Sequence, residues 1–264
     1  MEKLNILPAP TFAHLGVNYA ERAETAPEKK TLTVSENTQQ QVVQFISSDS
    51  GTTVTVGENA SLKLVQVFTG ECVSKLSAVV SDNARFGLIQ LYTCGGVSET
   101  VTELRGHRAE FGADIGYDLG TGCSLDVNLI AQHCGRKTVS DINVSGVLRG
   151  DAKKTFKGTI DLRRGASGSK GSEKEDVILM DARVVNRTVP VILCDEEDVE
   201  GSHGATIGRI DEEHVFYMRS RGIPEEKIYE LVTRSRLVRL IRMIGDEQAE
   251  KRIYDMLGWG DEVE

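Results

Sequence analysis

The sequence lacks long apolar runs, and nowhere do about 18 apolar residues follow one another, so no membrane-spanning helix is predicted. The start, from Met1 to Pro10, has no basic stretch leading into an apolar segment, which argues against an export signal. Aromatic residues are also scarce, at 5% of 264 residues, and there is one tryptophan. We therefore expect a soluble, cytoplasmic protein that does not bind a membrane.

Positive charge is not in excess. The formal net charge is -9, so the molecule as a whole repels phosphate backbones, whereas nucleic-acid binders usually carry a basic surface. Nucleic acid is not an expected partner.

Paired cysteines are missing as well. A zinc ribbon or a dithiol redox site needs two cysteines about two residues apart, and no such pair occurs in this chain. An odd number of widely spaced cysteines in a chain of this size fits reduced thiols in the cytoplasm. The sequence assigns no role to four of the five cysteines, which are Cys72, Cys94, Cys123 and Cys134.

Common catalytic motifs are also absent, including the Gly-x-Ser-x-Gly elbow, the His-Glu-x-x-His pair and the dinucleotide-binding glycine pattern. The glycine-rich stretch from Arg163 to Glu175 does not match a phosphate-binding P-loop. That motif requires a lysine directly after its second glycine, whereas Lys170 follows Ser169. We predict that this stretch is a mobile surface loop. The chain is not predicted to be an enzyme.

The sequence does contain many short runs in which apolar and polar residues alternate, from about Thr31 to Thr206, with Gly, Asn, Asp and Ser between them. Thr53–Val56 and Ser61–Phe68 are examples. This pattern predicts successive β-strands with one buried face. It is compatible with a sandwich, a barrel or a β-solenoid, and the frequent glycines favour a solenoid built from stacked rungs.

Helical spacing replaces the strand pattern after Ile210. Asp211 is a suitable N-cap, Pro224 suits the first turn of a second helix, and apolar residues recur from Ile228 to Ile241. We predict an N-terminal segment and linker at residues 1–30, a β core at 31–209 and a helical domain at 210–264. The helices have more apolar surface than they can bury alone, so they pack on the β core or on a partner.

One string is distinctive, namely GSHGATIG at Gly201–Gly208, followed by DEE at Asp211–Glu213 and FYMRSRGI at Phe216–Ile223. Other runs accompany it at Ser140–Leu148, Phe156–Asp161, Asn186–Val191 and Leu15–Asn18. With these motifs the chain resembles the SufB/SufD family of iron–sulfur cluster assembly proteins. The resemblance is clearest from about His107 to Gly222.

The resemblance implies a right-handed parallel β-helix, paired with a second β-helix, that forms a transient iron–sulfur cluster near the pairing interface. The second β-helix would be another copy or a SufB-type paralogue. The histidine that matches the family motif is His203. Around it, SufB-type chains resemble Glu-His-Glu-Ala, whereas this chain has Ser202, Gly204 and Ala205 beside the histidine, closer to the SufD type. We expect a compact, SufD-like form in which Cys194 and Glu200 substitute as ligands.

The resemblance also implies that the C-terminal helices bind an ABC-type ATPase, SufC. The alternative is that these helices only cap the solenoid. The candidate contact residues are Phe216, Tyr217, Ile228, Leu231, Val232 and Arg236.

Two other functions compete with the scaffold. The first is a non-catalytic adaptor that regulates the ATPase without holding a cluster. The second is a β-helical carbohydrate-active enzyme, which would need clustered carboxylates in a cleft and is often secreted. The family motifs favour the scaffold over both.

Overall fold

The computed structural model describes residues 2–22 and 27–260. Two short strands, β1 and β2, lie in the N-terminal segment, and a long series of strands and then helices follows. The elements are β1 Glu2–Leu4, β2 Ala20–Arg22, β3 Glu28–Val34, β4 Gln39–Ile46, β5 Ser50–Val56, β6 Ser61–Phe68, β7 Cys72–Val80, β8 Arg85–Tyr92, β9 Gly96–Leu104, β10 Glu110–Leu119, β11 Ser124–His133, β12 Val139–Leu148, β13 Lys153–Leu162, β14 Ser169–Leu179, β15 Val185–Cys194, β16 Val199–Arg209, α1 Glu212–Ser220, α2 Glu225–Arg242 and α3 Glu247–Met256.

From β3 onward, each strand pairs in parallel with the strand two positions along the chain. The result is two seven-stranded sheets, an even sheet in the order β16-β14-β12-β10-β8-β6-β4 and an odd sheet in the order β15-β13-β11-β9-β7-β5-β3. One odd strand and the even strand after it make one rung of a coil. The prediction of a parallel β-helix followed by helices is confirmed, and the sandwich and barrel alternatives are wrong.

The space between the two sheets is filled by side chains that stack from rung to rung. Leu62, Phe86 and Phe111 pair in register on β6, β8 and β10, and all three are buried. The rings of Phe86 and Phe111 stack with their centroids 5.5 Å apart. Because strand side chains alternate between faces, every second residue joins this interior, which explains the alternation seen in the sequence.

The rungs lengthen along the chain. In the first rungs Gln39 pairs with Ser61, whereas near the other end Lys153 pairs with Val185, so a later rung contains more residues than an early one. Longer rungs enclose a wider interior, and we call the early rungs narrow and the later rungs wide. This drift also explains why no fixed repeat is visible in the sequence.

One turn of each rung contains a residue in the left-handed backbone region. Its N–H donates a hydrogen bond to the corresponding turn of the next rung, as Asn83 does to the carbonyl of His107 at 2.8 Å. The early rungs use asparagine, which tolerates this conformation, and the later rungs use Arg108 and Lys137. The series of positions is Asn37, Asn59, Asn83, Arg108, Lys137 and Gly168.

The N-terminal strap, defined here as residues 2–22, covers the outer face of the odd sheet. Leu4 packs with Val73 and Val97, and Leu7 and Val17 pack with Val189. The first strand of the coil begins at Glu28, inside the predicted segment 1–30, and residues 23–26 of the predicted linker lie outside the described residues.

A buried ion pair fixes the strap on this face. The ammonium of Lys157 is fully buried, lies 2.8 Å from the Asp126 carboxylate and donates to the carbonyl of Asn5 at 3.0 Å. The side-chain amide of Asn5 in turn donates to the carbonyl of Ser98 at 3.0 Å. These long-range contacts attach the start of the chain to β9, β11 and β13.

The C-terminal helices cover the outer face of the even sheet. Leu237 and Ile241 of α2 join a buried cluster with Val65 and Ile89. The close approach needs Gly116 beneath the helix, since a Cβ there would lie 2.4 Å from Leu240 Cδ2. No helix within residues 2–22 and 27–260 is both long and apolar enough to cross a bilayer.

The predicted mobile loop from Arg163 to Glu175 is partly wrong. Strand β14 begins at Ser169, and the side chains of Glu173 and Glu175 are buried inside the coil. The segment was missed because its interior positions carry glycine and glutamate, so apolar alternation is absent. For Glu175, an ion pair described below makes this burial possible.

Candidate functional site

The C-terminal end of the coil is open. Strand β16 is the last of the even sheet, and within the described part of the chain its outer edge pairs with no other strand. Its residues from Glu200 to Arg209 are all exposed. An unpaired edge presents a row of backbone N–H and C=O groups on which a further strand can pair.

His203 lies on the interior side of this last rung. It pairs in register with the buried Glu173 of β14, and parallel neighbours in register point to the same face. Gly201, which has the same parity, faces Ile192 across the coil, where a Cβ would lie 3.2 Å from Ile192 Cγ2. The imidazole of His203 therefore points inward but remains exposed, because no rung follows.

Cys194 also faces the interior, at the end of β15. It pairs in register with Leu162, which is buried in the coil. The thiol is exposed and donates to the carbonyl of Glu196 at 3.2 Å. His203 and Cys194 therefore share the inner side of the open rung.

Glu200 lies on the opposite face. It is three residues before His203 in a regular strand, so its side chain points outward, where it forms an exposed ion pair with Lys170 at 2.7 Å. To act as a ligand beside His203, Glu200 would have to leave this pair.

A buried charged cluster lies just beneath the open rung. The ammonium of Lys154 on β13 is bound to the Glu175 carboxylate, and both side chains are at most 1% exposed. Glu175 also accepts hydrogen bonds from the hydroxyl of Thr188 at 2.5 Å and from that of Tyr117 at 3.4 Å. The carboxylate of Glu175 is thus fully satisfied, as burial of a charge requires.

Glu173 is different. The residue is 3% exposed, yet its carboxylate forms no hydrogen bond or ion pair within residues 2–22 and 27–260. It lies across the coil against Gly158, where a Cβ would be 2.0 Å from Glu173 Oε2. Burial, with a contribution from the negative charge of Glu175, raises the pKa of Glu173 to about 7, and the Lys154 ammonium opposes this shift.

The described residues contain no group of three His, Cys, Asp or Glu side chains arranged to hold a metal ion. Burial raises the pKa of Cys72 to about 11 and also raises the pKa of Cys94 and Cys134. These thiols are therefore poorly ionised at neutral pH.

The helical candidates divide by exposure. Phe216 and Tyr217 of α1 are 75% and 56% exposed, and Leu231 of α2 is 41% exposed. Ile228 is fully buried and Val232 half-buried. Arg236 forms an ion pair with Asp176 of β14, which attaches α2 to the coil near its open end.

The sequence interpretation missed Lys154, Glu173 and Glu175, because it assigned the two glutamates to a loop. The length of a rung determines which residues of β14 and β16 are neighbours, and it places Glu173 beside His203. This length is known only from the structure, so the sequence alone could not identify the pair.

Comparison with known proteins identifies similar sequences. The SufBD core domain of the SUF system for FeS cluster assembly matches residues 21–236. The iron-sulfur cluster assembly protein SufD of Bacillus subtilis (strain 168) is 28% identical over 125 residues, which are 47% of this chain and 29% of that protein. SufD of Escherichia coli (strain K12) is 29% identical over 112 residues, 42% of this chain and 26% of the relative.

An iron-sulfur cluster assembly SufBD family protein of Mycobacterium leprae (strain TN) is 32% identical over 115 residues, 44% of this chain and 13% of the relative. The aligned regions thus span between 13% and 29% of the length of these three proteins.

Proposed function

This chain belongs to the SufBD family of iron–sulfur cluster assembly proteins, and we propose that it is a scaffold subunit that holds a transient cluster at the open end of its β-helix. The observation that carries the proposal is the position of His203, which points inward on the last rung yet is exposed. The cluster is cargo in this proposal, and the scaffold itself is not an enzyme. We place the protein in the cytoplasm, where its thiols stay reduced.

Cluster binding is assigned to the donors of the open rung. Imidazole and thiolate both suit iron–sulfur species, and His203 and Cys194 share the inner side of this rung. Glu200 is a further candidate, which would exchange its pairing with Lys170 for iron.

The remaining ligands of the cluster would come from a second β-helix. The eleven-residue edge of β16 offers backbone groups for strand pairing, and two copies joined edge to edge would bring two inner faces together. The partner is a second copy of this chain or a SufB-type paralogue.

An ABC-type ATPase of the SufC kind is proposed to bind the helical end. The exposed rings of Phe216 and Tyr217, with Leu231, provide an apolar contact of the kind that dominates protein interfaces. Ile228, Val232 and Arg236 would support this surface by holding α2 against the even sheet.

Point variants test the ATPase contact better than deletion, because α2 and α3 cover buried residues of the even sheet. We expect Phe216→Ala and Tyr217→Ala to reduce co-purification with the ATPase about tenfold or more, as hot-spot residues do. Met256→Ala on α3, which is 42% exposed, is the matched control and should bind normally. Equal binding by all variants would reject this surface.

Anaerobic reconstitution with iron and sulfide tests cluster binding. The wild-type chain should develop thiolate-to-iron absorbance, and Cys194→Ser should weaken it. Cys123→Ser, which removes a thiol from the opposite end of the odd strands, just before β11, should leave it unchanged. Stimulation of the ATPase with no chromophore under any condition would support the adaptor function instead.

A further inference from the structure

Glu173 is an unexplained feature of the open end. It is a carboxylate at 3% exposure with no hydrogen bond or ion pair in the part of the chain that the structure describes. A buried ionisable group without a partner is unfavourable, and such groups usually pair with another charge or coordinate a metal. The described residues therefore provide no partner for the Glu173 carboxylate, which is free to bind a group from outside the chain.

The position of Glu173 beside His203 suggests what that ligand is. The two residues pair in register on β14 and β16, so their side chains leave the same face of adjacent strands about 4.8 Å apart. Glu173 is inside the coil and His203 is at its open mouth. One carboxylate oxygen and one imidazole nitrogen can therefore approach a single ion that enters from the open end.

The neighbouring groups make Glu173 the available carboxylate. Glu175 is occupied by Lys154, Thr188 and Tyr117, and Glu200 points to the outer face. Gly158 leaves room for the Glu173 carboxylate, since any larger residue would collide with it. Glu173 and Glu175 together place two carboxylates near one ammonium, which favours a cation over an anion in this cluster.

We propose that Glu173 and His203 together bind a divalent first-row transition metal ion at the open end of the coil. Carboxylate and imidazole are ligands that ions such as Fe²⁺, Co²⁺ and Zn²⁺ accept. Water fills the remaining positions in a single chain, and groups of a second β-helix can replace it on assembly. This inference deepens the proposed function and rests on it for the biological role of the ion.

Titration with Co²⁺ alone tests the site in the full chain, after chelator treatment and without sulfide. Visible d–d absorbance and calorimetry should report one bound ion in the wild type. Glu173→Gln and His203→Ala should each weaken binding about tenfold or more, because each removes one of two protein ligands. Glu110→Gln, at an exposed position on β10 away from the open rung, should bind within about twofold of wild type.

Glu173→Gln keeps the volume of the side chain, and an unchanged circular dichroism spectrum with cooperative unfolding would show that it folds. Wild-type affinity in folded Glu173→Gln, or an equal loss in Glu110→Gln, would overturn the site. If Co²⁺ binding depends on both residues but no cluster forms with iron and sulfide, the site stands and the proposed function fails. If a cluster forms but Glu173→Gln binds Co²⁺ with the affinity of the wild type, the proposed site is wrong and the proposed function stands.

Discussion

The two ends of the coil bury polar groups in different ways. In the narrow rungs, a ladder of neutral amides runs through the interior, with Gln90 donating to Gln66 at 2.9 Å and Gln66 donating to Gln44 at 3.1 Å. In the wide rungs, the interior contains the ionic pair of Lys154 and Glu175. Neutral amides satisfy one another at little cost, whereas buried ions depend on every partner. The wide end is thus the part of the interior where stability is most sensitive to charge.

The turns show the same contrast. Narrow rungs place asparagine in the left-handed position, as at Asn83, whereas wider rungs place Lys137 there. Asparagine occupies this region several times more often than most residues. The wide half therefore tolerates both buried charge and backbone strain, which are common near functional sites.

Removing one partner of the buried ion pair should have the largest effect. Lys154→Met leaves the Glu175 carboxylate buried without its ion-pair partner, and we expect a loss of about 3–5 kcal/mol in the free energy of unfolding. Gln90→Met in the narrow half breaks a neutral hydrogen bond and should cost about 1–3 kcal/mol. Urea unfolding of both variants measures the difference, and equal losses would contradict the contrast.

Acid should destabilise the chain through His133, the next largest effect. This fully buried imidazole lies 2.7 Å from the Thr138 hydroxyl and 2.9 Å from that of Ser140, and burial lowers its pKa to about 4. The unfolded state binds the proton first, so stability is lost as pH falls from about 6.5 towards 4, by about 2–4 kcal/mol.

His133→Gln should lack this part of the pH dependence. The free energy of unfolding of both proteins, measured at about pH 7 and about pH 5, tests this, because the wild type should lose about half of the full effect between these two values. The same acid sensitivity in His133→Gln would show that other groups are responsible.

Glu173→Gln should stabilise the protein that lacks metal. Because the pKa of Glu173 is raised to about 7, the folded state prefers the proton, and stability falls as pH rises from about 4.5 through 7. The variant should therefore gain about 1–3 kcal/mol at pH 8 and less at pH 5. Glu110→Gln, at an exposed position, is the control and should change little. A destabilised Glu173→Gln at pH 8 would mean that the carboxylate is better paired than the structure shows.

The smallest expected effect concerns the turns. Lys137→Gly relieves the left-handed strain and should stabilise the chain by about 0.5–1 kcal/mol, whereas Asn83→Gly should be nearly neutral. Thermal unfolding of the two variants provides the comparison. An equal gain at both positions would remove the difference between the two sets of turns.

The sequence was sufficient to predict the coil and the C-terminal helices, because alternation and family motifs both depend on local residue order. It was not sufficient for β14, where Glu173 and Glu175 occupy interior positions that usually hold apolar residues. Burial of Glu175 depends on Lys154, which lies on the preceding strand β13, and a local pattern does not contain that contact.

The candidate site was predicted in part. The odd spacing between Glu200 and His203 already implied opposite faces in a regular strand, a point that the sequence interpretation did not use. The pairing of Glu173 with His203 could not be predicted, because the rungs lengthen along the chain and no constant repeat identifies the offset.

The central claim is that the open last rung is where the cluster is held. Anaerobic reconstitution followed by Mössbauer quantification of cluster iron in His203→Ala and His107→Ala tests it most directly, because both residues are exposed histidines and only His203 lies on that rung. The account predicts that His203→Ala loses most of its cluster iron while His107→Ala retains the wild-type amount. Equal cluster iron in the two variants would contradict it.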